Sequence, residues 1–583
     1  MTDRFTHEQL SVLGEIKQNR MTVVRAGPGT GKTRVFVETL RQELREWTSL
    51  RVGIAALSFT NVAHEVVSGR LGGAPLGPHF LGTLDAFLWR FVVRPFGHLA
   101  GVSIQGPRLI PSPLDEMVRF PQTKFGPQKW NVGSVFQIAF TGGSETLPEL
   151  SQYRQRLRLT APFREHVMLA KKREWARSGR LTHSDSQYLA ACILRGNHGP
   201  KVVSLVARRF PVILVDEFQD TGWFLARALL PLLATQQTRG AVVGDPDQAI
   251  YQFGGAQRDL FVQAESAVAG ATCTLAESHR CRPATAAIAS CLSRSGTKVV
   301  AVDPVPQGRA ILLVHNQDEP SLPPIAKKLA HVLNSTAWTV LARKGGTVNR
   351  LIGASARGEP PWKSGTARNF SRAAEHFMNH DSATAVRIVQ RELGELLLNE
   401  EAITTESIMR AGVSLTEWRR ACHAILIVAA ANTEETWNQW LGRVKSVLGH
   451  EGIRLGKPID AKVLGSRFKN IGEANVIRPI RASALAVPNI HSVTTVHKAK
   501  GCEFENVLYY VPKPHKKNAP CPSEEWWSSD LNSEEREVAF VACTRARNDF
   551  VLAVHKKTAT ALKEKRREFY GHFEVQTLDE SHD

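Results

Sequence analysis

The chain has 583 residues, far more than one hydrophobic core can serve, so several domains or subdomains are expected. Lys and Arg number 74 against 55 Asp and Glu, a formal charge of +19 that is the footprint of a polyanion partner, most simply nucleic acid. No apolar run approaches the roughly 20 residues of a membrane span; the first residues carry no basic-then-apolar leader, and eight cysteines without Cys-x-x-Cys spacing fit free thiols rather than a zinc or iron–sulfur centre. A reducing, cytoplasmic setting is expected.

A short helix opens at residues 5–10 with Thr6 as its N-cap, and the apolar run 21–25 reads as the first buried strand. A Gly- and Pro-rich turn follows, and then a helix over 32–41. Residues 53–60 read as a second buried strand with a helix from Asn61, and a Gly82-Thr83 turn leads into the aromatic-rich 84–96. Between about 100 and 200 the strand rhythm stops. That stretch reads as helices and loops holding the densest basic run, Arg154, Arg156, Arg158, Arg164, Lys171, Lys172, Arg173, Arg177 and Arg180. Its spacing suits a helix face turned to phosphates, or else an ordinary solvated face. Strands return at 212–215, 241–243 and 271–275, so a parallel sheet covered on both faces is expected, with a large insertion between its second and third strands.

A second alternating block begins with strands at 310–314 and 338–342, then meets a linker signal at 357–361. From Phe370 to about 480 the pattern is almost wholly helical. Strands resume at 492–496, 507–511 and 550–554, with a helix over 534–547. The fold class is therefore α/β, two parallel-sheet blocks each carrying a mainly helical insert.

The turn after the first strand is Ala26-Gly27-Pro28-Gly29-Thr30-Gly31-Lys32-Thr33, a phosphate-binding loop except that Ala26 stands where the strict pattern has Gly. Glycines let backbone N–H groups curl around an anion, and the helix N-terminus adds partial positive charge. Lys32 would reach the β- and γ-phosphates of ATP, and the Thr33 hydroxyl would hold Mg²⁺. The strand 212–215 ends in Asp216 and Glu217, one suited to hold Mg²⁺ through water and the other to polarise the attacking water. The strand ending at Gly244 leads to Gln248, an amide able to sense a γ-phosphate, and to Tyr251 and Phe253, which can stack on bases or pack in a core.

Together these blocks resemble, in order, the superfamily 1 DNA helicases of the UvrD/Rep/PcrA type. The resemblance runs through Gln9, the phosphate loop, Ser58-Phe59-Thr60-Asn61, Gly82-Thr83, Asp216–Asp220 and Gly244–Gln248, then Arg280, Arg343, Thr495–Phe504 and Val541–Arg547. It implies two RecA-like motors, residues 1–100 with 201–280 and 281–368 with 486–583, and inserts at 101–200 and 369–485. It also implies adenine recognition by Gln9, a nucleotide contact from Glu503 and γ-phosphate contacts from Gln248, Arg280 and Arg545. Thr60, Asn61, Thr83, Tyr251, Phe253, Arg343 and His497 fall where that family meets single-stranded DNA, and the implied polarity is 3′ to 5′. The sequence departs from the pattern at His279, where a tyrosine is usual, and at Gly254, where an arginine is common. The second insert is short, and the stretch after Arg547 leaves no room for an appended nuclease.

A narrower resemblance links Gly82–Phe87, Arg94-Pro95-Phe96 and His279-Arg280-Cys281 to GajB, the helicase subunit of Gabija anti-phage systems. It implies a hetero-oligomer with a GajA-like ATPase–Toprim nuclease acting on single-stranded DNA, ends or tailed duplex. A free-standing repair or replication-restart helicase, or a DNA-sensing ATPase that gates a nuclease, are the alternatives.

Overall fold

The computed structural model describes residues 5–58, 77–110, 135–146, 148–152, 161–250, 259–268, 270–302, 308–316, 322–333, 337–351, 362, 365–378, 382–398, 403, 405–431, 435–468, 489–513 and 534–578. It divides into two compact units. One comprises Met1–Pro320, Lys328–Val348 and Val493–Asp583, and the other Ser321–Lys327 and Asn349–Ser492.

The larger unit contains two six-stranded sheets. Helix α1 (His7–Gln18) is started by Thr6, whose hydroxyl accepts from Gln9 N while the Gln9 side chain accepts from Thr6 N. There follow β1 (Met21–Ala26), α2 (Lys32–Arg45), β2 (Ile54–Ser58) and β3 (Phe80–Thr83). The insert then supplies β4 (Arg108–Leu109), β5 (Ile138–Gly143), β6 (Pro148–Gln152), α3 (Ala161–Ser178), β7 (Arg180–Leu181) and α4 (His183–Arg195). The chain returns through β8 (Val212–Val215), α5 (Trp223–Ala234), β9 (Arg239–Gly244) and β10 (Ala271–Leu275). The first sheet runs β10-β1-β9-β8-β2-β3, and all its ladders are parallel.

Alternation along its strands feeds two cores. Ile213 and Val215 of β8 point to one face with Met21 and Val23 of β1, while Val212 and Leu214 point to the other with Val24 and Ala26. The register pairs Arg25 with Gly244 and Val215 with Val242, so the carboxyl ends of β1, β8 and β9 share one edge. Ligands of parallel sheets bind along that edge.

Two expectations change here. Phe80–Thr83 is a sheet strand rather than only a turn, paired Ser58 to Thr83 along β2, so the insertion follows the third strand of the sheet, not the second. The insert is also not purely helical. An antiparallel β5–β6 pair and a short parallel β4–β7 pair accompany its helices. Its basic run is partly spent internally: Lys171 is 1% exposed with its Nζ 2.6 Å from Asp185, and Arg180 and Arg177 both pair with Glu174. Lys171 therefore cannot face a phosphate, whereas Lys172, Arg173 and Arg177 are exposed. Arg154, Arg156 and Arg158 lie outside the described residues.

The second sheet is built from β11 (Ala310–His315), β12 (Trp338–Ala342), β13 (Ile490–Thr495), β14 (Asn506–Tyr510), β15 (Phe550–His555) and β16 (Glu574–Thr577), in the order β13-β12-β14-β15-β11-β16. Its ladders β12–β14, β14–β15, β15–β11 and β11–β16 are parallel. Packed with it are α6 (Pro283–Leu292) and α11 (Glu534–Cys543), and α12 (Arg567–Gly571) precedes β16. The numbers α7 to α10 belong to the smaller unit: α7 (Thr366–Met378), α8 (Ser382–Leu397), α9 (Leu415–Ala430) and α10 (Trp437–Arg454). They close over Phe370, Trp418 and Trp440, with Trp440 Nε1 donating to Ala429 O. The architecture is thus α/β with two parallel sheets, as the strand rhythm predicts, and of the RecA-like kind that the resemblance implies. Among the described residues no helix is long and apolar enough to cross a membrane.

Candidate active site

The turn after β1 is shaped by Gly29 (φ 72°) and Gly31 (φ 82°), left-handed conformations that L side chains resist. Space forbids side chains as well. A Cβ on Gly31 would stand 2.5 Å from Gln9 Nε2, and one on Gly29 would stand 2.5 Å from Arg280 Cβ. Thr30 Oγ1 donates to Gly27 O, and Gln9 Nε2 donates to Thr30 O at 3.0 Å, so the amide predicted to read adenine is braced against the loop. Beside it lies a cavity of about 680 Å³ lined by Phe5, Gln9, Gly29, Gly31, Arg34 and His279 among others, with the Arg34 guanidinium 4.4 Å from the Phe5 ring centroid. That volume accepts a nucleoside.

Two residues not singled out from sequence hold this region together. Both Glu8 carboxylate oxygens accept from backbone, from Ala276 N at 2.9 Å and from Glu277 N at 3.0 Å. Ser278 Oγ donates to Pro28 O at 2.7 Å, and His279 N donates to Gly29 O. The segment that carries Arg280 is therefore laid directly on the phosphate loop.

The carboxyl edge of β8 delivers Asp216 (2% exposed) and Glu217. Glu217 has φ 52°, a strained conformation for a non-glycine, and its N–H donates to Asp216 Oδ1 at 2.9 Å. Burial pushes the Glu217 carboxyl up, but Lys32, Lys500, the Gln219 amide and Arg545 outweigh it and hold it below the usual carboxylate range. Burial pushes Asp220 up to about 6 against the pull of Lys500, and Asp245 up to about 6 against that of Lys32. Thr33 in the first turn of α2 and Asp216 just past β8 are an alcohol and a carboxylate at the carboxyl edge of one sheet, oxygen donors that suit a hard divalent cation.

A continuous polar path then crosses from the second sheet to the phosphate loop. Arg545 Nη2 donates to Gln248 Oε1 at 3.1 Å, Gln248 Nε2 donates to Asp245 Oδ2 at 2.6 Å, and the same Asp245 oxygen is 3.9 Å from Lys32 Nζ. Arg545 is 2% exposed, and burial, with Arg280 nearby, lowers its guanidinium to about 10, which still leaves it charged at neutral pH. It does not sit on a helix, as the predicted span 534–547 implies. α11 ends at Cys543, and Arg545 lies in the turn beyond, where its side chain also donates to Val541 O and Cys502 O. Lys500 makes a second crossing, with Nζ 2.6 Å from Asp220 Oδ1 and bonded to Gln248 O. Glu503 pairs with Arg280 and with Arg547, and Arg280 Nη1 donates to Thr544 O.

The residues predicted to meet DNA are only partly brought together. Thr83 Oγ1 caps the next helix by accepting from Ala86 N. Arg343 is paired with Glu534 at 3.1 Å and Glu535 at 2.8 Å, and its Nη1 is 3.1 Å from His497 Nε2, which lies 3.1 Å from Ile250 O. Burial and Arg343 lower His497 to about 4, so the ring is neutral at pH 7. Thr60, Asn61, Tyr251 and Phe253 lie outside the described residues.

The profile of the UvrD/REP helicase N-terminal domain matches residues 6–105 and 144–269, and that of the UvrD-like helicase C-terminal domain matches residues 468–557. The chain belongs to the UvrD-like helicase family. Similarity to individual UvrD-like and related proteins is more local. Gabija protein GajB of Bacillus cereus (strain VD045) is 40% identical over 81 residues, covering 14% of this chain and 16% of that protein. RecBCD enzyme subunit RecB of Escherichia coli (strain K12) is 36% identical over 112 residues, covering 19% and 9%. ATP-dependent DNA helicase PcrA of Staphylococcus aureus (strain Mu50) is 25% identical over 245 residues, covering 40% and 32%. The chain thus spans about a third or less of the length of each of these UvrD-like relatives.

Proposed function

We propose that this UvrD-like chain is a DNA-dependent ATPase that translocates along single-stranded DNA and unwinds duplex. The observation that carries the reading is the side-chain path from Arg545 through Gln248 and Asp245 to Lys32, which ties the second sheet to the phosphate loop of the first. In this reading Gln9 and the cavity beside it take the adenosine part of ATP, while the loop 26–31, Lys32 and Thr33 take the phosphates. Thr33 and Asp216 hold Mg²⁺, which neutralises phosphate charge when bound. Glu217, kept ionised by its cationic neighbours, orients the attacking water and accepts its proton. Gln248, Arg280 and Arg545 answer to the γ-phosphate, and Glu503 completes the nucleotide contacts. Lys32 leaves Asp245 for phosphate when ATP binds, and that exchange passes through Gln248 to Arg545, coupling hydrolysis to movement between the two sheets.

Thr60, Asn61, Thr83, Tyr251, Phe253, Arg343 and His497 line the path of single-stranded DNA in this account, with travel 3′ to 5′. Similarity to Gabija protein GajB supports a Gabija setting; the resemblance then implies anti-phage defence beside a GajA-like ATPase–Toprim nuclease, in the cytoplasm. A repair helicase acting alone is the competing setting. Strand displacement on 3′- and 5′-tailed duplexes tests the reading, with Lys32→Ala as control. The wild-type protein should open the 3′-tailed substrate with ATP, and Lys32→Ala should open neither. Displacement retained in Lys32→Ala would overturn the site assignment.

A further inference from the structure

The scattered cysteines give no metal signature along the chain, but the fold assembles one across it. Among the described residues, Cys291, Glu568 and His572 bring one sulfur, one carboxylate oxygen and one ring nitrogen within 4.8 Å of one another. Cys291 is the penultimate residue of α6. Glu568 lies on α12 and His572 caps its C-terminal end, an i, i+4 pair that projects from one side of the turn. The scaffold beneath them is fixed. Leu292, Phe569 and Phe573 are buried in the core of the second sheet, and the two phenylalanine rings meet edge to face at 5.1 Å. The three donors thus stand on anchored backbone, while Glu568 and His572 are exposed and Cys291 is half-buried, open to an ion from solvent.

We propose that Cys291, Glu568 and His572 form a binding site for a borderline-soft divalent cation of the zinc type, separate from the nucleotide site. A thiolate, an imidazole and a carboxylate are the ligand types that zinc accepts, with solvent completing the shell. Tetrahedral zinc places sulfur and nitrogen ligands about 3.5 Å apart, so donors already within 4.8 Å of one another need to close by no more than about 1.3 Å as the ion enters. Binding forms a metal–sulfur bond and releases the thiol proton to water. The surroundings set the affinity from both directions. Burial and Glu568 push the Cys291 thiol up, while Arg566 and Arg536 pull it down. Those arginines also repel the ion, although Arg536 is committed to the carbonyls of Cys291 and Leu292 at 2.9 and 3.2 Å. The bound ion would clamp α12 to α6 and so fix the register of β16, the strand that follows α12 at the edge of the second sheet.

Cobalt(II) titration of the reduced, metal-stripped full-length protein, without nucleotide, tests this. One equivalent should bind with a thiolate-to-cobalt charge-transfer band in the near ultraviolet, and zinc should displace it. Cys291→Ser should abolish the band, whereas His572→Ala and the conservative Glu568→Gln should weaken binding by about tenfold or more. Cys502→Ser, which alters an exposed thiol elsewhere in the unit, should leave the band unchanged. Zinc should also raise the melting temperature of the wild type but not of Cys291→Ser. Absence of the band, or its persistence in Cys291→Ser, would overturn the proposal. Neither outcome depends on ATP turnover, so the motor reading stands or falls separately.

Discussion

Replacing Arg545 by Ala should separate nucleotide binding from turnover. The guanidinium is buried, bonds to Gln248 Oε1 at 3.1 Å, and reaches Val541 O and Cys502 O at 3.2 Å each. Deleting it removes a fixed positive charge from the end of the path that leads to Lys32. A preorganised donor of this kind is worth about 3–4 kcal/mol in the transition state, or about 100- to 1000-fold in kcat. The ground state loses far less, because the loop 26–31, Lys32 and the cavity at Gln9 are untouched, so ATP affinity should change by less than about tenfold. The carbonyls left without their donor cost about 1–3 kcal/mol of stability, a loss that a protein stabilised by about 5–15 kcal/mol survives. Calorimetric titration with a non-hydrolysable ATP analogue, steady-state hydrolysis with single-stranded DNA and a melting curve give the three numbers. Equal losses of binding and turnover, or a kcat within about tenfold of wild type, would refute the reasoning.

Other consequences follow from charge and packing. Asp220, raised to about 6, takes up a proton as pH falls, and Lys500 then loses its ionised partner. The pair is intact above pH 6 and lost below it, so kcat should fall by about tenfold between pH 7 and pH 5; a flat profile there would contradict the pairing. Asp247 accepts from Ser293 Oγ, Ser295 Oγ, Arg294 N and Ser295 N at 2.6–2.8 Å, and Asp247→Ala should destabilise by about 2–4 kcal/mol in chemical denaturation, with Asp247→Asn milder. Lys171→Ala should cost about 3–5 kcal/mol because it strands buried Asp185, with DNA affinity little changed. A DNA-binding loss at unchanged stability would instead put Lys171 on the surface. Gly31→Ala combines a forced φ of 82° with a clash at Gln9, and ATP affinity should drop by at least about tenfold in the same calorimetric titration.

What was legible in the sequence was local. Apolar runs such as 212–215 announce buried strands, and the glycines of 26–31 announce a turn around an anion, because both depend on a few adjacent residues. Strand Phe80–Thr83 escaped that reading. It is four residues long, half-buried throughout, and defined by pairing with β2 rather than by its own periodicity. The resemblance alone singles out Arg545, and the sequence carries its helix on to Arg547, since Thr544 and Arg545 have side chains compatible with a helix and the break accompanies tertiary bonds to Cys502 O and Gln248. Glu8, Ser278, Asp247 and Lys500 carry no local signal of what they do. Their roles rest on partners 46 to 280 residues away, which no spacing rule reaches. Lys171 misled for the opposite reason: a lysine in a basic run reads as surface, and only the fold reveals the aspartate that neutralises it.

In the proposed motor, DNA drives ATP turnover at a site built from both sheets of the larger unit. The measurement that tests it most directly is the ATP hydrolysis rate of the purified protein with and without single-stranded DNA, for wild type and for Lys500→Ala, which cuts the crossing to Asp220 and Gln248. The account predicts a wild-type rate that rises severalfold with DNA and a variant whose stimulation is lost. Turnover indifferent to DNA in the wild type, or stimulation intact in the variant, would contradict it.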